Sequence, residues 1–235
     1  MTLSFPAARI SSQDEFQVWA NSERAVLEQQ LAAEQSLPEI RQGSCGLCFD
    51  TTEFHPDTRC SCAKSFTGHQ RAALHFLQSR VGLGRGTQIA MVGADTRISG
   101  QLKDWGARIA PLPRLVAGKL PIHDATAELV LCLDYAQHVP PLAVFLRELA
   151  RIVRSNGVLV ITLPFDVNAP ATRARPVERP PGVQESAAPI YIFGWDFLDL
   201  LRDAGFRDVA AHFYWSAEFG YTGPFDPIIS AVRTS

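Results

Sequence analysis

Apolar residues at three- and four-residue steps (Phe16, Trp19, Ala20, Leu27 and Leu31) trace one face of a helix near the start of the chain. Ser12 and Glu15 stand at the spacing of a capping box, whose hydroxyl and carboxylate satisfy free amides at a helix start. Leu37 and Pro38 end the run. A packing helix is the simpler reading of this stripe, a partner-binding helix the alternative. A second helix is expected from Thr67–Gln70 onward, with Ala73, Leu74, Leu77 and Val81 inward and Gly82, Gly84 and Gly86 stopping it. From Gln88 the period changes. Short apolar runs at Ile89–Gly93, Leu129–Leu133 and Val158–Leu163 read as buried strands, and Pro141–Arg154 has a helical period between the last two. Strand, helix, strand implies a parallel sheet with right-handed crossovers. Asp166–Pro189 is a proline- and arginine-rich interruption, readable either as a linker or as a lid over a site. After it, Trp195–Ala204 reads as a helix ended by Gly205, and Val209–Trp215 and Ile228–Val232 as closing strands. The expected fold class is α/β, a seven-stranded, mostly parallel sheet with helices on both faces.

The composition fits a folded chain of this kind. Of 235 residues, 46% are hydrophobic and 20% charged, which excludes disorder as the dominant state. The formal charge of −2 gives no global basic field, so nucleic acid and anionic membrane surfaces are not the expected partners. Arg41, Arg59, Lys64 and Arg71 are scattered among acids and polar residues rather than clustered. No apolar run approaches the roughly 20 residues of a membrane span. The first residues carry neither a basic leader nor a sustained apolar stretch, so a soluble cytoplasmic protein is expected.

Four of the five cysteines lie within eighteen positions: Cys45 and Cys48, then Cys60 and Cys62 after eleven intervening residues. In a reducing compartment such clustering favours metal over disulfides, and four thiolates suit a tetrahedral structural zinc. The second pair has one intervening residue rather than two, and His55 and His69 are the substitutes should one cysteine not reach. An iron–sulfur or redox role and unliganded thiols are the other readings. The stretch 43–66 is poor in large aliphatic residues, so a metal is expected to hold it together, a structural zinc typically supplying about 10–16 kcal/mol of binding free energy. Cys132, inside an expected strand, reads as a small core residue. The chain divides into an N-terminal helical segment at 1–42, a zinc-knuckle-like module at 43–66 and an α/β domain at 67–235, with 166–189 as its loop or lid.

Several segments of the α/β body resemble class I S-adenosylmethionine-dependent methyltransferases of the type 11 kind. They are 120–124 (Leu-Pro-Ile-His-Asp), 127–134 (Ala-Glu-Leu-Val-Leu-Cys-Leu-Asp), 137–140 (Gln-His-Val-Pro), the helix and turn at 145–157, the strand at 158–165, and 195–206 ending Ala-Gly-Phe. The resemblance runs from about Gln88 to Arg233 and implies a Rossmann-like sheet. The cysteine-rich lead is similar to a knuckle that precedes some members. Ligands of open parallel sheets bind at the carboxyl ends of the strands, where glycines admit backbone amides and an acid after the second strand takes ribose hydroxyls. Here only Gly93 keeps its place in the glycine motif; Met91 replaces the acid before it, and Asp95 stands where a second glycine belongs. The second strand ends in Ala110, Pro111 and Leu112, without a carboxylate, and Gln137 replaces the usual glutamate.

The resemblance implies an S-adenosylmethionine-dependent methyltransferase acting on a small-molecule or sugar-type acceptor. Gly93, Asp95, Asp134 and Gln137 are the expected cofactor-binding residues, and His138 the candidate general base, its plainer reading being a polar residue at a helix start. The alternative is an inactive methyltransferase-like scaffold or activating subunit, with a protein partner or a second copy of the chain. The expected cofactors are S-adenosylmethionine and a structural zinc on Cys45, Cys48, Cys60 and Cys62.

Overall fold

The computed structural model describes residues 4–36, 41–48, 50–54, 59–61, 66–93, 96–112, 118–174, 190–222 and 226–235. In chain order its elements are β1 (Ala7–Ile10), α1 (Gln13–Ser22), α2 (Arg24–Gln35), β2 (Arg41–Ser44), β3 (Thr51–Phe54), α3 (Gly68–Phe76), β4 (Gln88–Val92), α4 (Thr96–Asp104), β5 (Arg108–Leu112), β6 (Ala127–Leu133), α5 (Leu142–Ile152), β7 (Val153–Thr162), β8 (Arg173–Ala174), β9 (Tyr191–Ile192), α6 (Asp196–Asp203), β10 (Phe206–Tyr214) and β11 (Ile228–Arg233).

Seven strands form one sheet in the order β1-β10-β11-β7-β6-β4-β5. The expected seven strands are present, but the sheet is mixed rather than mostly parallel. The pairs β4–β5, β4–β6 and β6–β7 are parallel, whereas β7–β11, β11–β10 and β10–β1 are antiparallel. Two causes account for the difference. β10 and β11 follow each other without a crossover helix, and an edge strand, β1, joins β10 from the N-terminus. That strand was not legible beforehand: four residues with one buried side chain carry little alternation.

Period-two alternation sends each strand's side chains to opposite faces. Ala90, Val92, Val130, Cys132, Leu159 and Ile161 meet α5, α6 and the ring of Phe16 from α1. Ile89, Met91, Leu129, Leu131 and Val160 meet α3 and α4 on the other side. Helices therefore cover both faces, and Cys132 is fully buried in the first core, as a small apolar residue.

The helix starts follow their caps. Thr67 Oγ1 accepts from the Gln70 amide at 3.3 Å while Gln70 Oε1 accepts from the Thr67 amide at 3.1 Å, a complete capping box. Ser12 caps α1 through the Glu15 amide, but the Glu15 carboxylate reaches back to Ser11, one residue earlier than expected. The single N-terminal stripe is in fact two helices, broken at Glu23 after Asn21 and Ser22, whose side chains bond locally instead of favouring the helix. Phe16 and Trp19 pack on Phe213, whereas Leu31 is exposed.

The described residues of the cysteine-rich stretch share a core with the rest of the chain. Phe54, Cys60 and Phe66 join α3 and the turn residues Phe219 and Tyr221 in the second core. At its centre the fully buried Arg71 donates to the carbonyls of Phe66, Phe219 and Gly220, with the Phe54 ring 4.5 Å from its guanidinium carbon.

Candidate active site

The parallel strands β4, β6 and β7 deliver their carboxyl ends to one rim. Gly93 follows β4 with φ +82°, a left-handed turn suited to glycine, and α4 begins at Thr96. A Cβ on Gly93 would sit 3.3 Å from the Tyr135 ring, so the backbone and that ring are in close contact. Asp95 lies outside the described residues. β5 ends at Leu112, without a carboxylate on the strand itself.

Asp134 follows β6 and is also left-handed, at φ +49°. Its amide donates to the Thr162 carbonyl at 3.0 Å and to Thr162 Oγ1 at 3.1 Å, and that hydroxyl donates to Asp134 Oδ1 at 3.0 Å. The turn is thus fixed by the neighbouring strand, which turns the carboxylate outward with its side chain 56% exposed. The next residues form a single 3-10 turn, Ala136–His138. Gln137 is buried, its backbone carbonyl accepts from the Ile190 amide at 2.8 Å, and its side-chain Oε1 has no hydrogen-bond partner among the described residues. His138 lies half-buried beside it, near enough to Asp134 for its charge to favour the carboxylate.

The structure adds a histidine that sequence reasoning placed elsewhere. His69, in the first turn of α3, sets Nδ1 2.8 Å from the Tyr214 hydroxyl at the end of β10 and Nε2 3.5 Å from Asp134 Oδ1. The second distance is an ionic contact longer than a direct hydrogen bond. Burial works against charge on His69, but the Asp134 carboxylate, with Asp226 behind it, outweighs burial and holds the imidazole above its ordinary value. Burial likewise works against charge on Asp134. His69, the Thr162 hydroxyl and His138 overcome it and hold the carboxyl below the usual carboxylate range. Asp226 accepts from the Phe165 amide at 3.3 Å, and burial pushes it upward. Both ring nitrogens of His69 therefore face this site, which removes it as a substitute ligand for the cysteines.

Of the expected thiolate set, Cys45 and Cys60 are buried and in contact, and Cys48 is exposed. Cys45 also accepts from the amides of Cys48 and Leu47. Cys62 and His55 lie outside the described residues. Among the described residues no group of three or more His, Cys, Asp or Glu side chains is placed to hold a metal ion, so the four-thiolate zinc site has no support there. The same residues hold no helix long and apolar enough to cross a membrane. Most of the Asp166–Pro189 interruption also lies outside them; Arg173–Ala174 within it pairs with Tyr191–Ile192 just beyond it as β8 and β9, and the Ile190 amide donates to the Gln137 carbonyl.

Residues 101–161 match a family model described as a methyltransferase domain. A probable S-adenosylmethionine-dependent methyltransferase of Mycobacterium tuberculosis is 33% identical over 92 residues, covering 39% of this chain and 31% of that protein. The chain thus spans about a third of the length of the curated relatives it matches. Among solved structures, the Burkholderia thailandensis 1,6-didemethyltoxoflavin-N1-methyltransferase, with S-adenosylhomocysteine bound, aligns with a TM-score of 0.50 at 19% identity, over 71% of this chain and 78% of that one. A Haemonchus contortus phosphoethanolamine N-methyltransferase aligns with a TM-score of 0.50 at 11% identity, over 69% of this chain and 52% of its own. The sheet has the Rossmann-like fold of class I methyltransferases.

Proposed function

We propose that this chain is an S-adenosylmethionine-dependent methyltransferase acting on a small-molecule acceptor. One observation carries the reading. A left-handed glycine opening a helix and a cluster of polar side chains share the carboxyl-end rim of parallel strands, where open α/β sheets take their ligands. On the β4 and β6 side, Gly93 offers backbone in a left-handed turn, with the Tyr135 ring packed on the face where a Cβ would stand, and the buried Gln137 Oε1, without a partner among the described residues, offers an acceptor for an amine or hydroxyl of the ligand. Gly93, Asp95 and Gln137 are the proposed holding residues, with Asp134 and His138 lining the rim. No ribose-binding acid stands on β5, so the β4–β6 side must supply most of the affinity. Bound S-adenosylmethionine supplies an activated methyl group. The chain's own residues align the acceptor, exclude water and accept its proton, with His138 and Asp134 as the groups at hand.

For the cysteines the proposal is a structural zinc. It rests on the spacing of the four cysteines and on the contact that brings Cys45 and Cys60 together; in the metal-free chain that contact and burial hold the Cys45 thiol well above its ordinary value, and the two turn amides that donate to its sulfur only partly offset them.

Calorimetric titration with S-adenosylhomocysteine tests the main proposal. Saturable heat at submillimolar concentration is expected. No heat and no thermal stabilisation at millimolar concentration defeats it and returns the inactive, scaffold-like reading.

A further inference from the structure

The sequence pointed to His138, yet the most developed side-chain chain at the rim runs through His69. Three elements distant in sequence contribute: Tyr214 from the end of β10, His69 from the start of α3, and Asp134 from the end of β6. The two members of the Tyr214–His69 bond are 145 positions apart. Such a chain costs the fold something, because two ionisable groups are partly desolvated to form it.

Its geometry assigns separate roles. Among the described residues His69 Nε2 is a buried atom with Asp134 Oδ1 3.5 Å away, while the ring as a whole is 28% exposed. Asp134 Oδ1 is taken by His69 and by the Thr162 hydroxyl. Oδ2 makes no hydrogen bond among the described residues, and the side chain is 56% exposed at the rim. An ionised carboxylate with one oxygen clamped from behind and the other facing outward accepts hydrogen bonds and repels anions. The groups that act on His69 are Asp134, Asp226 and Tyr214; His138 acts on Asp134 as well.

We propose that Asp134 is the acceptor-facing carboxylate of the site, and that His69, backed by Tyr214, is the residue that positions it. The acceptor is then a small molecule presenting an N–H or O–H group to Oδ2, not a carboxylate. The inference rests on the methyltransferase reading. In the transfer, the acceptor's lone pair bonds to the methyl carbon and the carbon–sulfur electron pair stays with sulfur. The acceptor's proton passes to Oδ2, so the sulfonium charge and the carboxylate charge are discharged together, and the proton then leaves to solvent.

The test uses the ligand-free protein first. The His69 imidazole is titrated by long-range proton–nitrogen NMR in wild type, Asp134→Asn and Tyr214→Phe. The midpoint is expected above that of an ordinary histidine in wild type, lower by about half a unit or more in Asp134→Asn, and lower by less in Tyr214→Phe. Methylammonium and acetate then serve as probes. Methylammonium should shift the His69 signals in wild type and not in Asp134→Asn, and acetate in neither; a larger response to acetate overturns the acceptor class. S-adenosylhomocysteine affinity is measured for wild type, Asp134→Asn and His69→Gln, and is expected to stay within about threefold. A loss above about tenfold in Asp134→Asn assigns the carboxylate to the cofactor and overturns the inference. Wild type without cofactor heat defeats the methyltransferase reading while the His69 titration stands. A His69 midpoint indifferent to Asp134→Asn defeats the positioning role while cofactor binding stands. Should His69→Gln fail to fold, Tyr214→Phe, which removes a single oxygen, takes its place in the binding series.

Discussion

Histidines in this chain show how neighbours decide what one side chain does. His69 and His212 share a chemistry and are shifted in opposite directions. His212 is 8% exposed in β10, bonds Ser230 Oγ at 2.8 Å and lies against the Phe76 ring. Burial, together with the charges of Arg9 and Arg80, lowers its pKa to about 4. The sign follows directly. Between about pH 6.5 and pH 4 the unfolded chain binds a proton that the folded chain refuses, so stability present at neutral pH is lost on acidification. The loss is on the order of 3 kcal/mol over that window, and it is complete below the folded value. His212→Gln, which keeps a partner for Ser230, should flatten this slope. Urea midpoints at neutral pH and near pH 4.5 measure it, and equal acid losses in the two proteins contradict the assignment. His69 works the other way: its pairing is lost as pH rises through its elevated value. Asp134, Gln137 and His138 could be proposed together from the sequence because they follow one another after a recognisable strand. The approach of His69 and Tyr214 to Asp134 could not, because no local pattern joins residues that meet only through the sheet.

At the scale of elements, local chemistry was readable wherever it was strong. The strands at 89 and 129 and the helix at 196 stand where apolar period and glycine stops put them, while the strand expected from Val158 already starts at Val153 and shortens the helix before it to Ile152. α4 was not among the expected helices; Ser99 and Gly100 are weak helix formers. Its buried Ile98 and Leu102, four residues apart, were the clue available. The Thr67 capping box matters beyond helix stability, since the turn it closes carries His69. Thr67→Ala removes one bond and loosens the other, at a cost of about 1 kcal/mol. The expected result is a melting temperature about 2–4 °C lower, restored by Thr67→Ser. If His69 depends on that turn, its NMR midpoint should fall in the alanine variant as well, whereas an intact midpoint confines the cap to a stabilising role.

For the whole molecule, what holds the cysteine-rich stretch to the sheet is the open physical question. Its low aliphatic content suggested a metal as the main support, a reasonable inference when a segment is considered alone. In the fold the segment borrows a core: Phe54 and Phe66 pack with α3 and the 216–221 turn, and the Arg71 guanidinium satisfies three carbonyls from two parts of the chain. Long-range borrowing of this kind leaves no periodic trace in a sequence. Core packing and metal binding predict different behaviour. Arg71→Met keeps the volume roughly but strips three buried carbonyls of their donor, and each buried acceptor left unmet costs about 1–3 kcal/mol. Amide exchange across β2 and β3 should then accelerate sharply even when zinc analysis still finds about one metal per chain. A chelator applied to the wild type should produce a smaller acceleration centred on Cys45 and Cys48. If chelation alone opens the whole segment and Arg71→Met leaves it protected, the metal carries the docking and the shared core is secondary. If zinc is absent from gently prepared protein and exchange is still slow, the core alone holds the segment and the zinc proposal is withdrawn.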